Sequence, residues 1–156
     1  MFHEMRRKDR QLSQAETGEI LAKGVYGVLS VKDENGYAYG VPLNYVCVGK
    51  TIYFHSALEG HKMSCLRADN RVSFCVVPEA VPLPEAFSTA YRSAVVFGKA
   101  REVSGEEKLA ALHALLEKYS GPFMEKGKKH VAAAFDRTAV IGIDAEHISG
   151  KGRKHE

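Results

Sequence analysis

Three alternating runs, set end to end and separated by tight turns, constrain this chain more than any other feature. "VYGVLSV" (25–31), "YAYGVPLNYVCV" (37–48) and "TIYFHSA" (51–57) carry apolar residues at every second position. That is the period of a strand buried on one face. Asn35-Gly36 and Gly49-Lys50 leave room only for hairpins between them. Strands joined this way are antiparallel, and no GxGxxG follows any of them, which argues against a dinucleotide-type parallel sheet. Pro42 has no N–H for a ladder, so the middle run belongs at an edge or a bulge, and Gly40 beside it points the same way.

The rest of the chain alternates helices with further strands. Ser13 and Glu16 form a capping box in "SQAETGEILAKG", Ile20 and Leu21 supply its apolar edge, and Gly24 ends it. "GHKMSCLRADN" (60–70) predicts a short helix resting on Met63 and Leu66. "RVSFCVVPEA" (71–80) predicts a strand closed by Pro78, 81–87 a loop, and "TAYRSAVVFGKAREVS" (89–104) a long strand interrupted at Gly98. "GEEKLAALHALLEKYSG" (105–121) is the clearest helix, with Leu109, Leu112, Leu115 and Leu116 on one face and Gly121-Pro122 as its stop. "KKHVAAAFDR" adds a helical segment, and 138–151 a closing strand. The expected class is mainly β (α+β): a six-stranded antiparallel barrel or sandwich with short flanking helices. A single domain spans 1–156, with 1–10 and 150–156 as flexible ends.

Composition narrows the function classes. A net charge of +3 suits an anionic small ligand and falls short of a nucleic-acid footprint. The basic runs "RRKDR" and "GKGRK" read as solvated ends. Cys47, Cys65 and Cys75 form no CxxC pair, which points to a reducing compartment and away from structural disulfides or zinc. No apolar run reaches the ~18 residues of a membrane span, and the basic start lacks an apolar stretch behind it. A cytoplasmic location follows as the expectation.

The chemistry concentrates in "FHSALEGHK". Backbone N–H groups of a helix starting at Gly60 or His61 would face outward, and Lys62 in that first turn opposes the helix dipole unless an anion sits there. A phosphate meets its needs in "EGHK", and the plain alternative is a lysine on a solvated helix. His55 lies on the strand face opposite Phe54, either as a structural histidine or facing a ligand. Arg92, amid β-branched neighbours in "YRSAVVFG", either pairs with a carboxylate such as Glu102 or meets a ligand. "VPLNYV" is either an ordinary bulge or a source of free backbone groups for a planar heterocycle.

Together, "YGVPLNYV", "IYFHSALEGHKMSCLRADNRVSFCVV" and "YRSAVVFGKAREV" resemble the FMN-binding split barrels related to pyridoxamine 5′-phosphate oxidase, most closely the nitroimidazole-resistance (Nim-type) proteins. The resemblance runs from about Arg6 to the final strand. It implies a six-stranded split β-barrel, a homodimer and FMN where the subunits meet. It also implies that Leu43, Asn44 and Tyr45 line the flavin ring and that His55, Ser56 and Ala57 contribute from the strand end. Lys62 with His61 would meet the phosphate, and Arg92 and Ser93 would approach the cofactor from one subunit or the other. His55 would be the catalytic group.

The expected activity is an FMN-dependent oxidoreductase reducing nitro groups of small heteroaromatic substrates by two-electron steps, supplied by an external electron donor. A flavin-binding or redox-sensing protein without a nitro substrate is the alternative, as is a haem- or deazaflavin-binding relative. Pyridoxamine phosphate oxidation is not implied, because the oxidase's extra basic residues have no match here.

Overall fold

In the computed structural model, which describes residues 1–154, seven strands form one antiparallel sheet. They are β1 (Gly27–Lys32), β2 (Ala38–Leu43), β3 (Val46–Val48), β4 (Thr51–Ala57), β5 (Arg71–Leu83), β6 (Ser88–Val103) and β7 (Thr138–Arg153). Four α-helices accompany them: α1 (Gln14–Lys23), α2 (His61–Ala68), α3 (Gly105–Ser120) and α4 (Met124–Ala134). The expected capping box of α1 is present, with Ser13 Oγ accepting from the Glu16 N–H at 3.1 Å, and Gly24 ends the helix.

The strand order is β2-β1-β5-β6-β7-β4-β3, so β2 and β3 occupy opposite edges although only Asn44 and Tyr45 separate them. Three residue steps can reach at most about 11 Å. The sheet must therefore roll until its two edges nearly meet, which makes it a split barrel with the seam at Asn44-Tyr45. Here the structure corrects the expectation of six strands: the run 37–48 is two strands, not one, because the chain crosses the seam in its middle. Pro42 sits on edge strand β2, where the missing N–H does no harm.

Two other boundaries move. β5 runs past Pro78 to Leu83, with a register shift between Val76 and Glu79 that accommodates the proline. Residues 150–153, expected in a flexible tail, are the end of β7, and Leu12 donates its N–H to Gly150 O at 2.9 Å. At the other end of the chain, residues 8–10 form a short 3₁₀ turn. The last two residues of the expected tail, 155–156, lie outside the described residues. The interruption expected at Gly98 is a bulge between Phe97 and Gly98 against β7.

Inside the roll, Ile20, Leu29, Phe54, Phe74, Val76, Val96 and Ile143 form the main core. A second cluster lies on the outer face, where α3 and α4 cover Tyr53, Val103 and Val140. Strand β4 thus buries Ile52 and Phe54 inward and Tyr53 outward, and its alternation delivers His55 to the outer, helix-covered face.

Candidate functional site

The site forms where β4 runs out. His55 pairs across the sheet with Val140, and its ring looks into a cleft of about 230 Å³. Leu112, Leu115 and Leu116 of α3 and Val131 and Ala134 of α4 make its apolar wall. Asn44 enters from the seam, and His130 and Thr138 complete the rim. Asn44 is itself held in place, its amide donating to Val25 O at 3.0 Å.

After β4 the chain turns through Gly60, whose φ of 149° lies in a region that side chains avoid, and α2 begins at His61 without a side-chain cap. A Cβ at Gly60 would meet nothing within 4 Å, so the glycine is there for its backbone angle, not for close approach. Lys62 follows in the first turn, half-buried, its Nζ 5.8 Å from the centre of the Phe54 ring. Among the described residues it forms no salt bridge. Burial holds its pKa below the ordinary lysine value. Burial, and then the Lys62 charge, likewise push His55 below its ordinary value, which keeps the imidazole neutral near pH 7.

Of the ten residues expected at the site, the structure brings His55 and Asn44 into the cleft. Ser56 and Ala57 follow at the strand end and Lys62 in the first turn of α2, near enough for its charge to act on His55, but none of the three lines the cleft. The others lie elsewhere within this chain. Leu43 packs on the barrel core. Tyr45 is fully buried, its hydroxyl donating to Leu21 O at 2.7 Å and its ring edge-on to Phe74. It is a core residue, because the chain re-enters the sheet at the seam and points it inward. His61 turns away from Lys62 and places Nε2 2.6 Å from Asp33 Oδ2. Arg92 pairs with Glu79, Nε to Oε1 at 2.8 Å, rather than with Glu102. Ser93 lies opposite Lys151, eleven residues along β7 from the partner of His55, roughly 35 Å of strand.

The helical wall went unnoticed in the sequence, together with His130 and the grip on the seam. Tyr119 Oη accepts the Tyr45 N–H at 3.0 Å, and its own proton lies between Val25 O and Tyr45 O, at 2.7 and 2.9 Å. Lys118 Nζ donates to Tyr45 O at 2.9 Å and sits 3.8 Å from the centre of that ring. One signal was readable: the leucine stripe of α3 is wider than one contact needs. Leu109, placed on that stripe, is exposed, whereas Leu112 and Leu115 are buried.

A rolled antiparallel sheet, open at one seam and bearing an apolar-walled cleft, defines a split-barrel protein. A family model described as pyridoxamine 5′-phosphate oxidase matches residues 13–152, and the chain belongs to that family. No curated protein matches it. Solved structures of similar fold include a proposed 5-nitroimidazole antibiotic resistance protein from Bacteroides thetaiotaomicron. That protein is 21% identical with a TM-score of 0.71, over 96% of this chain and 95% of the other. An FAD-binding protein from Mesorhizobium loti is 25% identical with a TM-score of 0.65, over 93% and 98%. An FAD and heme binding protein from Mycobacterium smegmatis is 16% identical with a TM-score of 0.77, over 94% and 74%. Among the described residues no helix is long and apolar enough to cross a membrane.

Proposed function

We propose that this chain is an FMN-dependent oxidoreductase that reduces nitro groups on small heteroaromatic substrates, and that it works as a homodimer in the cytoplasm. The observation that carries the reading is the pairing of an apolar-walled cleft with two basic groups, His55 and Lys62, that no acidic side chain among the described residues neutralises. A flat aromatic ring fits the leucine wall, and a phosphate fits Lys62 with the uncapped N–H groups of α2. Bound flavin supplies the two-electron chemistry between donor and acceptor. Conversion of a nitro group to a nitroso group and water needs two electrons and two protons. An external hydride donor supplies both electrons together with one of those two hydrogens, and the one remaining proton comes from water through His55. An imidazole that is neutral near pH 7 can take that proton from water and pass it on. The family and the fold of the resistance-protein relative support this reading.

The homodimer has its own support. About 230 Å³ is below the ~300 Å³ where pockets for ligands of this size begin, so one chain supplies only part of an enclosure. Arg92 and Ser93 stand too far along the sheet to reach the cleft of their own chain, and a second copy would bring them to it. The three cysteines are free thiols, which suits a reducing compartment.

The test begins with the spectrum of the purified protein: flavin absorbance bands are expected, and a Soret band alone would transfer the reading to haem. His55→Ala should remain yellow while nitroimidazole turnover falls about 10²–10⁴-fold. Unchanged turnover removes His55. If the reduced wild-type protein is reoxidised by a nitroimidazole no faster than free FMN, the chain is a binder rather than a reductase.

A further inference from the structure

Beside α2, among residues that do not line the cleft, three different donor atoms converge. His61 and Cys65 stand four residues apart on one helix face, and Asp33 reaches them from the turn between β1 and β2. His61 Nε2 is 2.6 Å from Asp33 Oδ2 and 3.9 Å from Cys65 Sγ, and all three donor atoms lie within 4.8 Å of one another. The two short distances involve the same ring nitrogen. A catalytic Cys-His-Asp relay uses opposite nitrogens of the imidazole, one for each partner. Convergence on one nitrogen is what a shared central ion requires.

We propose that Asp33, His61 and Cys65 form a zinc site with three protein ligands and a fourth position open to solvent. Thiolate, imidazole and carboxylate are the donors zinc selects. A tetrahedral ion with ordinary bond lengths sets its ligands about 3.4–3.5 Å apart. The nitrogen–oxygen pair must open, and the nitrogen–sulfur pair close, by less than about 1 Å each, and the sulfur–oxygen pair, at most 4.8 Å apart, must close by up to about 1.3 Å. The surroundings already orient the ligands: Asp33 Oδ1 accepts the Asn35 N–H at 2.8 Å, and the Tyr39 ring packs 4.8 Å from that of His61. Glu34 adds a second carboxylate charge near Cys65. The Asp33 side chain is 11% exposed and that of His61 47%, so the ion enters from the imidazole side. Bound there, it staples the first hairpin to α2.

Titration of the full chain with Zn²⁺ against a chromophoric chelator should give one ion per chain. Cys65→Ser and Asp33→Asn should each weaken binding at least about tenfold. Co²⁺ should produce a thiolate charge-transfer band that persists in Cys47→Ser and Cys75→Ser and vanishes in Cys65→Ser. Should Cys65→Ser fail to fold, Asp33→Asn and the two other cysteine variants decide alone. Substoichiometric zinc, unchanged affinity in Asp33→Asn, or a cobalt band that follows Cys47 or Cys75 would overturn the site.

Discussion

Two charged regions sit on either side of the outer face of β4, and they are treated in opposite ways. Near its start, Arg101 grips Glu107 with two bonds of 2.7 Å and Asp144 with two, of 2.6 and 3.2 Å. Tyr53 Oη donates to Glu107 at 2.6 Å and Thr51 Oγ1 to Asp144 at 3.0 Å. Each charge there has a partner, and the network ties the first turn of α3 to the sheet. The Arg101 hydrogen bonds, helped by Tyr53, hold Glu107 down at about 2. At the far end, Lys62 and His55 have no such partners, and burial pushes both toward their neutral forms. A half-buried cation without a counter-charge costs the fold stability. Charges that serve the architecture are saturated by it, whereas the uncompensated pair is kept where an outside anion can complete it.

The largest expected effect breaks that contrast directly. Lys62→Met should weaken FMN binding about 10–100-fold, the worth of a charge-assisted hydrogen bond, without lowering the urea midpoint. Flavin fluorescence titration reads the first and chemical unfolding the second. Undiminished affinity would mean that the phosphate is held elsewhere and that the unpaired lysine has no ligand role. Next comes Tyr119→Phe, which touches the seam instead. Removing that hydroxyl strands the Tyr45 N–H, so stability should fall by about 1–3 kcal/mol, read as a lower urea midpoint at constant slope.

The saturated region makes a pH prediction of smaller size. Glu107 titrates at an ordinary 4.5 when unfolded and about 2 when folded, and Asp144 is lowered from 3.8. A depressed carboxylate stabilises fully above its unfolded value and loses that contribution as pH falls toward the folded one. Acid unfolding between about pH 4.5 and 2 should therefore flatten in Glu107→Gln, measured as thermal midpoint against pH. An unaltered acid limb would show that the Arg101 network contributes nothing.

These regions also separate what the sequence discloses from what it hides. Local rules wrote much of the fold: the Ser13–Glu16 box, the Gly49-Lys50 hairpin, the Gly98 bulge and the inward Phe54 beside an outward His55 are all decided within a few residues. In "PLNYV" the same alternation fails. Leu43 ends β2 and Tyr45 stands just before β3, on opposite edges of the roll, and their phase is reset by a crossing that only the closed sheet defines. The partners of His61 and Arg92 were equally out of reach. Asp33 meets His61 only when the first hairpin folds against α2, and Glu79 stands opposite Arg92 only because β5 continues past Pro78. Most of the cleft is helix wall, fixed by how α3 and α4 dock rather than by any motif.

The smallest expected effect is the most discriminating for the proposed site. His55 should titrate below its ordinary 6.5, by burial first and by the Lys62 charge second. Because the depressed group is a base, its neutral form suits the fold, and stability is lost as pH falls from 6.5 toward the folded value. Two perturbations separate the causes in a histidine NMR titration. Lys62→Met should raise the midpoint toward 6.5 without reaching it, since burial remains. FMN added to the wild type should raise it too if its phosphate settles beside Lys62, because a dianion there offsets the lysine charge that the imidazole feels. In Lys62→Met the charge on which that phosphate depends is gone, so the FMN-induced rise should shrink. A midpoint that moves equally in both proteins would place the anion nearer His55 than Lys62 and reverse the assigned orientation of ring and phosphate.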